Sequence, residues 1–371
     1  MRKLISIALV LIAGICYGQK KATVKVPMKP EHWEFAPGKV EFIEHKGQPS
    51  MKILPQAGFA VLKDMDFTNG TIEFDMETID PNFASFYFHW QSQTENECFY
   101  LRTARIGYPT AKDAIQYAPF VGGVNLWDIM DHYQTNAVLK REEPNHIKLV
   151  VSGKQMMVYV NSNSPTLYVP MLEGNTTAGT IAFDSQVIIS NLVVKHNETE
   201  GLSPLPGADP TDSDPYYIRA WQVSEPVAAG QSSLEFSPGY MPSDTTAWEA
   251  ITAERRGLVN LTRKYGQSRP RRMVWLKTTI NSASEQKKSI DLGFSDEVWV
   301  MINGRVLYVG ANLYGHPIMK EPDGRLSLSN SSFEIPFQKG DNELLIGVAN
   351  NFYGWGIAAR FKDLNGLTLE K

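Results

Sequence analysis

A two-residue turn between two apolar runs constrains the fold of this chain more than any other feature. Asn303-Gly304 separates residues 297–302 from residues 305–309. Asn-Gly favours the type I′ turn of a β-hairpin, because both residues tolerate the positive φ angles that this turn requires. The first run is apolar on both faces, with Val298, Val300 and Ile302 on one and Trp299 and Met301 on the other. The pattern therefore predicts an inner strand pair of a packed β-domain.

The same period-two alternation, typical of strands, recurs along the chain. Residues 71–77 place Ile72, Phe74 and Met76 on one face. Comparable short runs lie at 83–90, 98–102, 147–151, 155–160, 187–194, 273–280 and 343–349. One segment, 247–256, contains good helix formers after a pair of threonines and is interpreted as a short helix or a loop. The chain is therefore predicted to be all-β.

The length of 371 residues is too great for one ordinary β-sandwich and sufficient for two. The clearest boundary is at 201–215, where four prolines and two glycines exclude a continuous strand or helix. We therefore predict two β-sandwich (jelly-roll) domains, at residues 19–200 and 216–371, joined by a linker at 201–215.

The first eighteen residues have the pattern of a signal peptide. Arg2-Lys3 precedes an apolar stretch at 4–15 that is too short to span a bilayer comfortably, and the small residue Gly18 precedes Gln19. Cleavage after Gly18 predicts an exported protein, periplasmic or extracellular, with no membrane span later in the chain. The alternative is a lipoprotein acylated at Cys16.

Composition narrows the partners and the chemistry. The formal net charge of −4, from 40 acidic and 36 basic residues, argues against a nucleic-acid partner. Cys98 is the one cysteine left after cleavage, so no intrachain disulfide is possible, and its position in a strand-like run predicts a small buried side chain. Aromatic residues make up 11% of the chain, which suits both sandwich cores and sugar-stacking surfaces.

Four segments of the N-terminal half, at 66–75, 99–102, 114–119 and 147–153, carry a family resemblance. The first reads Asp-Phe-Thr-Asn-Gly-Thr-Ile-Glu-Phe-Asp and the last Ile-Lys-Leu-Val-Val-Ser-Gly. Together they resemble the concanavalin A-like lectin/glucanase superfamily of laminin-G-like sandwiches. The resemblance implies a β-sandwich related to lectins, adhesion modules and glycoside hydrolases.

Two segments of the C-terminal half, at 293–304 and 339–346, carry a second resemblance. They resemble galactose-binding-like jelly rolls. Such modules accompany glycosidases, and they bind sugar or pack on a neighbouring domain, so the resemblance implies a carbohydrate-related partner. This is an analogy of fold rather than an argument from a site.

The acidic residues Glu73, Asp75 and Glu77 match the Glu-x-Asp-x-Glu pattern of laminarinase-like glucanases. Alternate residues of a strand project from one face about 6.7 Å apart, so leaning side chains could serve as nucleophile and general acid of a retaining glycosidase. Crowding of like charges is expected to raise one pKa. The other interpretation is a solvated strand face without a catalytic role.

A second constellation predicts sugar binding in the N-terminal half. Arg and Gln side chains form planar forks that suit hydroxyl groups, and aromatic rings stack on the C–H face of a pyranose. The candidate residues are His89, Trp90, Arg102, Gln116, Tyr117 and Trp127. The alternative is that Arg102 pairs with Asp113 or Asp128 and that the rings belong to the core.

A third constellation lies between two predicted strands of the C-terminal half. Paired amides next to aromatic rings could hold the edge of a sugar, and the candidates are Asn350, Asn351, Tyr353 and Trp355. Asn312, Tyr314 and His316 lie in another candidate rim loop. The alternative is an Asn/Gly turn with Trp355 packed beneath it.

Metal and cofactor chemistry has little support in the sequence. The seven histidines are scattered without a metal-binding spacing. Acidic residues at 209–214 could hold calcium only loosely, so a structural calcium stays open and no cofactor is expected.

We predict an exported protein that binds oligo- or polysaccharide. The alternatives are a glycoside hydrolase using the acidic strand and a non-catalytic adhesion or structural protein with a protein partner.

Overall fold

The structure is a computed structural model that describes residues 22–230, 238–266 and 270–370. The predicted signal peptide at residues 1–18 lies outside the described residues, as does Cys16. Both assignments therefore stay predictions.

The N-terminal half of the described chain folds into antiparallel strands. They are β1 (Ala22–Lys25), β2 (Trp33–Glu34), β3 (Val40–His45), β4 (Gln48–Ile53), β5 (Ala60–Leu62), β6 (Gly70–Thr78), β7 (Phe83–Ser92), β8 (Glu95–Arg102), β9 (Ile115–Tyr117), β10 (Phe120–Val121), β11 (Val124–Asn125), β12 (Gln134–Thr135), β13 (Asn145–Ser152), β14 (Gln155–Val160), β15 (Leu167–Val169), β16 (Thr180–Asp184) and β17 (Val187–His196). Short 3-10 turns lie at Pro30–His32, Thr103–Arg105 and Asp131–Tyr133.

These strands form the two sheets of a β-sandwich. The first sheet has the order β15-β14-β13-β6-β17-β4-β3, with β1 also paired to β17. The second has the order β11-β10-β8-β7-β16-β5-β2, and β9 joins β8 to β12. Phe74 of the first sheet contacts Phe86 and Phe183 of the second, with ring centroids 4.7 and 5.2 Å away. The alternation predicted for residues 71–77 is confirmed, because Ile72, Phe74 and Met76 are at most 1% exposed.

The C-terminal half forms a second set of strands. They are β18 (Ala220–Ser224), β19 (Val227–Ala228), β20 (Trp248–Thr252), β21 (Leu258–Asn260), β22 (Arg272–Ser282), β23 (Gln286–Ser295), β24 (Glu297–Ile302), β25 (Arg305–Ala311), β26 (Ser331–Phe337), β27 (Gly340–Ala349), β28 (Gly356–Phe361) and β29 (Leu367–Leu369). The helical segments are α1 (Leu261–Tyr265) and 3-10 turns at Pro238–Tyr240, Arg255–Gly257 and Leu328–Asn330.

These strands also form two antiparallel sheets, so the predicted all-β class with two sandwiches is confirmed. One sheet has the order β20-β18-β22-β27-β24-β25, and β19 and β29 pair with β22. The other has the order β21-β28-β23-β26. Apolar side chains of both sheets, among them Val298, Phe294 and Ile346, form one buried cluster. The residue limits of the two domains stay a prediction.

The hairpin predicted at Asn303-Gly304 is present between β24 and β25. The φ angles of the two turn residues are +49° and +74°, as a type I′ turn requires. The prediction of an inner pair is half wrong, because β24 lies between β27 and β25, whereas β25 ends the sheet in the described residues. Val306 and Val309 of β25 are accordingly 56% and 42% exposed.

The helix or loop predicted at 247–256 is wrong in its central part. Residues Trp248–Thr252 form β20, which pairs with β18 along its whole length. A short segment gains little from helix propensity alone, whereas pairing with β18 satisfies its backbone N–H and C=O groups. Trp248 adds a contact to the sheet, with the Lys277 ammonium 4.1 Å from its ring centroid.

The two sandwiches contact each other through both apolar and polar side chains. Leu258 and Leu326 of the C-terminal half belong to the buried cluster that fills the N-terminal sandwich. Two guanidinium nitrogens of Arg263 donate to the Glu173 carbonyl and the Asn175 side chain across the boundary, each at 2.6 Å. The segment at 201–215 has neither strand nor helix and is hydrogen-bonded to both halves. These contacts place the end of one sandwich against the other and create a cleft between them.

Candidate functional site

A cleft of about 1010 Å³ lies between the two sandwiches. One wall is the outer face of β7 and β8 with the adjoining loops at 102–113 and 120–127. The other wall consists of the C-terminal segments 314–325 and 350–353. The two regions predicted as separate sites, around Arg102 and around Asn350, therefore meet in one cleft.

The floor of the cleft follows from the alternation of β7 and β8. Phe86 and Phe99 point into the core, so their neighbours Tyr87, Cys98 and Tyr100 point to the opposite face. Cys98 is 1% exposed, which confirms the prediction of a buried side chain. Burial raises the pKa of its thiol well above the usual range, which disfavours the reactive thiolate.

Arg102 lies at the end of β8 and is 9% exposed. Its Nη1 donates to the main-chain oxygen of Asp113 at 2.7 Å. Its Nη2 donates to Gln116 Oε1 at 2.6 Å and to the Tyr100 hydroxyl at 3.2 Å. Gln116 is fully buried beneath it and donates to the Trp127 carbonyl at 2.9 Å, which joins the strand to the aromatic loop. Burial lowers the pKa of Arg102, and all three acceptors of its hydrogen bonds are neutral.

The ion pair considered as the alternative for Arg102 does not form. The Asp113 carboxylate is instead held by Arg105, through Nε at 2.8 Å and Nη2 at 2.7 Å. Although burial opposes the shift, these hydrogen bonds lower the pKa of Asp113. The carboxylate of Asp128 faces Gly354 and Ser295 of the other sandwich. Arg102 is therefore a buried cation without a carboxylate partner among the described residues.

Four rings from both sandwiches form an aromatic wall, defined as Trp127, Tyr314, Phe352 and Tyr353. The Trp127 ring centroid lies 5.0 Å from Tyr314, 6.5 Å from Phe352 and 5.9 Å from Tyr353, all edge to face. Tyr314 and Phe352 stack in parallel at 5.6 Å. Tyr314 and Tyr353 are 51% and 45% exposed, so the wall offers ring surface to solvent inside the cleft.

Arg325 lies against the aromatic wall and is 3% exposed. Its guanidinium carbon is 5.2 Å from the Trp127 ring centroid, which is the geometry of a cation–π contact. Its Nη1 donates to the half-exposed Asp323 at 3.1 Å, and its buried Nε has no hydrogen-bond partner. The cleft therefore holds a second buried guanidinium with unused donor capacity.

Two buried carboxyl groups position the loop that carries Phe352 and Tyr353. Asp296 accepts hydrogen bonds from the backbone N–H of Asn351 at 2.6 Å and of Phe352 at 2.7 Å. Asp128, across the boundary, accepts from Gly354 N at 3.1 Å. Burial raises the pKa of Asp296 to about 7, against the effect of these hydrogen bonds. Burial, followed by the nearby Asp296, raises the pKa of Asp128 well above its usual range.

The remaining predicted ligand residues lie outside the cleft lining. His89 is 1% exposed, donates from Nε2 to the Thr68 carbonyl at 2.9 Å, and has a pKa lowered by burial to about 4. Trp90 is 8% exposed and packs on Phe59 at 4.7 Å. Both side chains are therefore covered by other parts of the N-terminal sandwich.

Tyr117 and Trp355 are fully buried, as the alternative readings of these rings expected. The Tyr117 hydroxyl donates to Glu97 at 2.6 Å and accepts from the Glu173 N–H at 2.7 Å. Trp355 belongs to the core of the C-terminal sandwich. Of the predicted ligand residues, those that line the cleft are Arg102, Trp127, Tyr314, Asn350, Asn351 and Tyr353. Asn312 is fully buried, and His316 lies outside the cleft lining.

Glu73, Asp75 and Glu77 lie on the outer face of β6, in the sheet that does not border the cleft. Glu73 pairs with Lys195 at 2.9 Å and Asp75 with His146 at 2.9 Å. Glu77 accepts from Lys46 at 2.8 Å and from His45 at 2.9 Å. Although burial opposes the shift, the last two contacts lower the pKa of Glu77, so the expected rise by crowding does not occur there.

The cleft contains residues that sequence reasoning missed. Tyr100 could have been found, because it is two residues before Arg102 and shares its strand face. Phe352 could have been added as a neighbour of Tyr353. No sequence pattern pointed to Arg325 as a site residue, because its position against Trp127 depends on how the two sandwiches pack together.

Among the described residues, no group of three or more His, Cys, Asp or Glu side chains has the arrangement of a metal site. Asp209 and Asp214, considered for calcium, are engaged by the Arg256 N–H and by the Arg360 guanidinium. Within the same residues, no helix is long and apolar enough to cross a membrane.

Comparison with known proteins gives fold-level similarity alone. No known protein family and no curated protein matches the chain. Among solved structures, carbohydrate-binding module CBM66 from Bacillus subtilis matches 45% of this chain and 92% of its own, with 11% identity and a TM-score of 0.30. The β-glucanase of Bacillus licheniformis matches 48% of this chain and 100% of its own, with 12% identity and a TM-score of 0.33.

A third solved structure is a family 35 carbohydrate-binding module from an environmental isolate. It matches 26% of this chain and 69% of its own, with 16% identity and a TM-score of 0.20. These TM-scores are too low to support an argument about function, which therefore has to come from the cleft itself.

Proposed function

We propose that this protein binds oligo- or polysaccharide in the cleft between its two sandwiches. The observation that carries the proposal is the aromatic wall, which presents half-exposed rings beside buried guanidinium groups in an open cleft. Contiguous exposed apolar surface of this kind marks an interaction site. A sugar chain fits this surface, because it offers both apolar C–H faces and many hydroxyl groups.

The cleft has groups that match both the apolar faces and the hydroxyl groups of a sugar chain. The faces of Tyr314 and Tyr353 can stack on the C–H side of a pyranose ring. Arg102 and the exposed amide of Asn351 supply donors at the edge of the same surface. The hydrogen bonds of Arg102 to Gln116 and Asp113 fix its fork in place, so little conformational entropy is lost on binding.

Binding is favoured over hydrolysis because the cleft carboxylates are engaged. Asp113 is held by two nitrogens of Arg105, Nε and Nη2, and Asp323 is paired with Arg325. Asp184 accepts from the Tyr87 hydroxyl at 2.8 Å, at a different part of the floor. A hydrolase using Glu73, Asp75 and Glu77 stays an alternative prediction that would require a second site on the outer face of β6.

Export is part of the same proposal, because polysaccharides are encountered outside the cytoplasm. It rests on Arg2-Lys3 and the apolar stretch that follows. Sequencing the N-terminus of the mature protein tests it, with Gln19 as the expected first residue.

The experiment is a binding screen of the purified protein against soluble polysaccharides of varied linkage, followed by calorimetric titration. We expect binding to at least one chain and a loss of about tenfold in affinity for Tyr353→Ala, about 1.4 kcal/mol. The matched control is Tyr168→Ala, since Tyr168 has the same 45% exposure but lies on β15. Equal losses in both variants, or no binding across the screen, would contradict the proposal.

A further inference from the structure

We propose that the cleft selects glycans that carry a negative charge, a carboxylate or a sulfate, through the guanidinium groups of Arg102 and Arg325. This inference rests on the proposed function and names the class of sugar that the cleft takes. It comes from the charges that the fold leaves uncompensated at one end of the cleft.

The first observation is that no carboxylate of the described residues hydrogen-bonds to Arg102. All three acceptors of its hydrogen bonds are neutral, and it is 9% exposed. A buried charge is costly unless an opposite charge or a full set of hydrogen bonds accompanies it. The nearest acidic group, Asp113, is already committed to Arg105. An anion from outside the protein would therefore complete the environment of Arg102.

The second observation is independent and concerns Arg325. This side chain is 3% exposed, lines the cleft, and has an Nε without any hydrogen-bond partner. Its acidic partner Asp323 is 54% exposed, so that ion pair is open to solvent and easily exchanged. The guanidinium also lies over Trp127, which places a positive charge beside the ring expected to stack on a sugar.

The distribution of charge along the cleft points in the same direction. The cationic groups Arg102, Arg105 and Arg325 face two carboxylates, Asp113 and Asp323. Asp184 also lines the cleft, but it lies beside Tyr87 and Ser185 and hydrogen-bonds to none of the three guanidinium groups. Arg105 and Arg325 therefore each have a carboxylate partner in the cleft, whereas no carboxylate of the cleft lining pairs with Arg102.

Arginine suits the two anions because its planar fork matches the paired oxygens of a carboxylate or a sulfate. A neutral sugar would meet the same donors with hydroxyl groups, which form weaker hydrogen bonds than charged oxygens do. We therefore expect charged chains to bind more tightly than neutral chains of the same backbone.

The test uses pairs of chains that share a backbone and differ in charge. Polygalacturonate is compared with its methyl ester for the carboxylate, and dextran sulfate with dextran for the sulfate. We expect the charged member of at least one pair to bind tenfold or more tightly, and this preference to shrink as salt is raised, because ion pairs are screened. The pair that shows the preference identifies the anion.

Variants connect the preference to the two arginines. Arg102→Gln and Arg325→Gln should each reduce binding of the charged chain about tenfold and binding of the neutral chain by a smaller factor, because a hydroxyl group loses a weaker hydrogen bond than a charged oxygen does. Arg305→Gln is the matched control, because Arg305 is exposed on β25, outside the cleft lining. Thermal unfolding checks that the buried substitutions leave the protein folded.

A gain-of-affinity variant avoids the risk that a buried substitution disturbs the fold. Asp323→Asn removes the exposed competitor of the ligand anion, and asparagine tolerates the positive φ of +47° at this position. We expect a threefold or greater rise in affinity for the charged chain, whereas unchanged or weaker binding would contradict the inference. Equal binding of charged and neutral members in every pair would overturn it and leave the proposed function standing wherever neutral chains bind. If no chain binds, the result contradicts both this inference and the proposed function.

Discussion

The two outer faces of the N-terminal sandwich are built by the same alternation of residues and carry opposite kinds of surface. On β6, the carboxylates of Glu73, Asp75 and Glu77 each have a cationic or histidine partner within 3 Å. On β8, Tyr100 and Arg102 face a cleft in which the guanidinium has no carboxylate partner. Both faces point away from the core, yet the three carboxylates of the first are paired, whereas the Arg102 guanidinium on the second has only neutral hydrogen-bond partners among the described residues.

The contrast shows that the chemistry of a sheet face depends on whether solvent or another domain covers it. The face of β6 meets solvent. The opposite charges within each ion pair there neutralise one another, and such solvent-accessible pairs contribute little to stability. The face of β8 is sheltered by the C-terminal sandwich, which excludes water from Arg102 and adds the rings of Tyr314 and Tyr353. A ligand can therefore gain more from the sheltered face, because its donors are already desolvated and held in place.

The largest expected effect concerns Asp296, the buried acid that holds the loop carrying Phe352 and Tyr353 of the aromatic wall. Burial raises the pKa of Asp296 to about 7 from an ordinary value of 3.8. The folded state therefore keeps this proton at pH values where the unfolded chain has lost it. The associated stability is fully present below about pH 4 and is lost as pH rises to about 7.

Asp296→Asn removes this dependence. The free energy of unfolding of the variant relative to the wild type should rise by up to about 4 kcal/mol between pH 4 and pH 7, from about three pKa units. Urea titrations at a series of pH values measure the difference. A difference that stays flat over this range would show that Asp296 is not protonated in the folded protein at pH 5 to 6.

The next largest effect concerns Trp127, the ring at the centre of the aromatic wall. Trp127→Ala should weaken glycan binding about thirtyfold, about 2 kcal/mol, because one substitution removes a ring that contacts three others in the wall. Trp127→Phe keeps an aromatic face and should retain most of the affinity. An equal loss in both variants would mean that the indole acts through packing rather than through a face offered to the sugar.

The smallest expected effect lies on the solvated face. The triple variant Glu73→Gln, Asp75→Asn, Glu77→Gln should change glycan affinity less than twofold and cost less than about 1 kcal/mol of stability for each ion pair. Calorimetry and thermal unfolding measure both quantities. A turnover of polysaccharide that the wild type performs and this variant loses would instead support the hydrolase alternative.

Much of the fold could be predicted from the sequence, because alternation and turn chemistry are local. The hairpin at Asn303-Gly304 and the inward set of Ile72, Phe74 and Met76 are examples. The segment Trp248–Thr252 could not be predicted, because its strand form depends on pairing with β18, far away in sequence. Local propensity is too weak to compete with such pairing.

The candidate site divides in a similar way. Arg102, Trp127 and Tyr353 were predicted from residue type and loop context, and all three line the cleft. Trp355 was predicted with the same reasoning and is buried, because residue type alone does not say which face of a turn is covered. That the two predicted sites form one cleft depends on the docking of the sandwiches, which no short-range pattern encodes.

Binding in the cleft is tested most directly by a crystal structure of the protein with a bound oligosaccharide from the binding screen. We expect sugar density in the cleft between the sandwiches, with one ring stacked on the aromatic wall and a polar edge at Arg102. Density on the outer face of β6 beside Glu73 and Glu77, with the cleft empty, would contradict it.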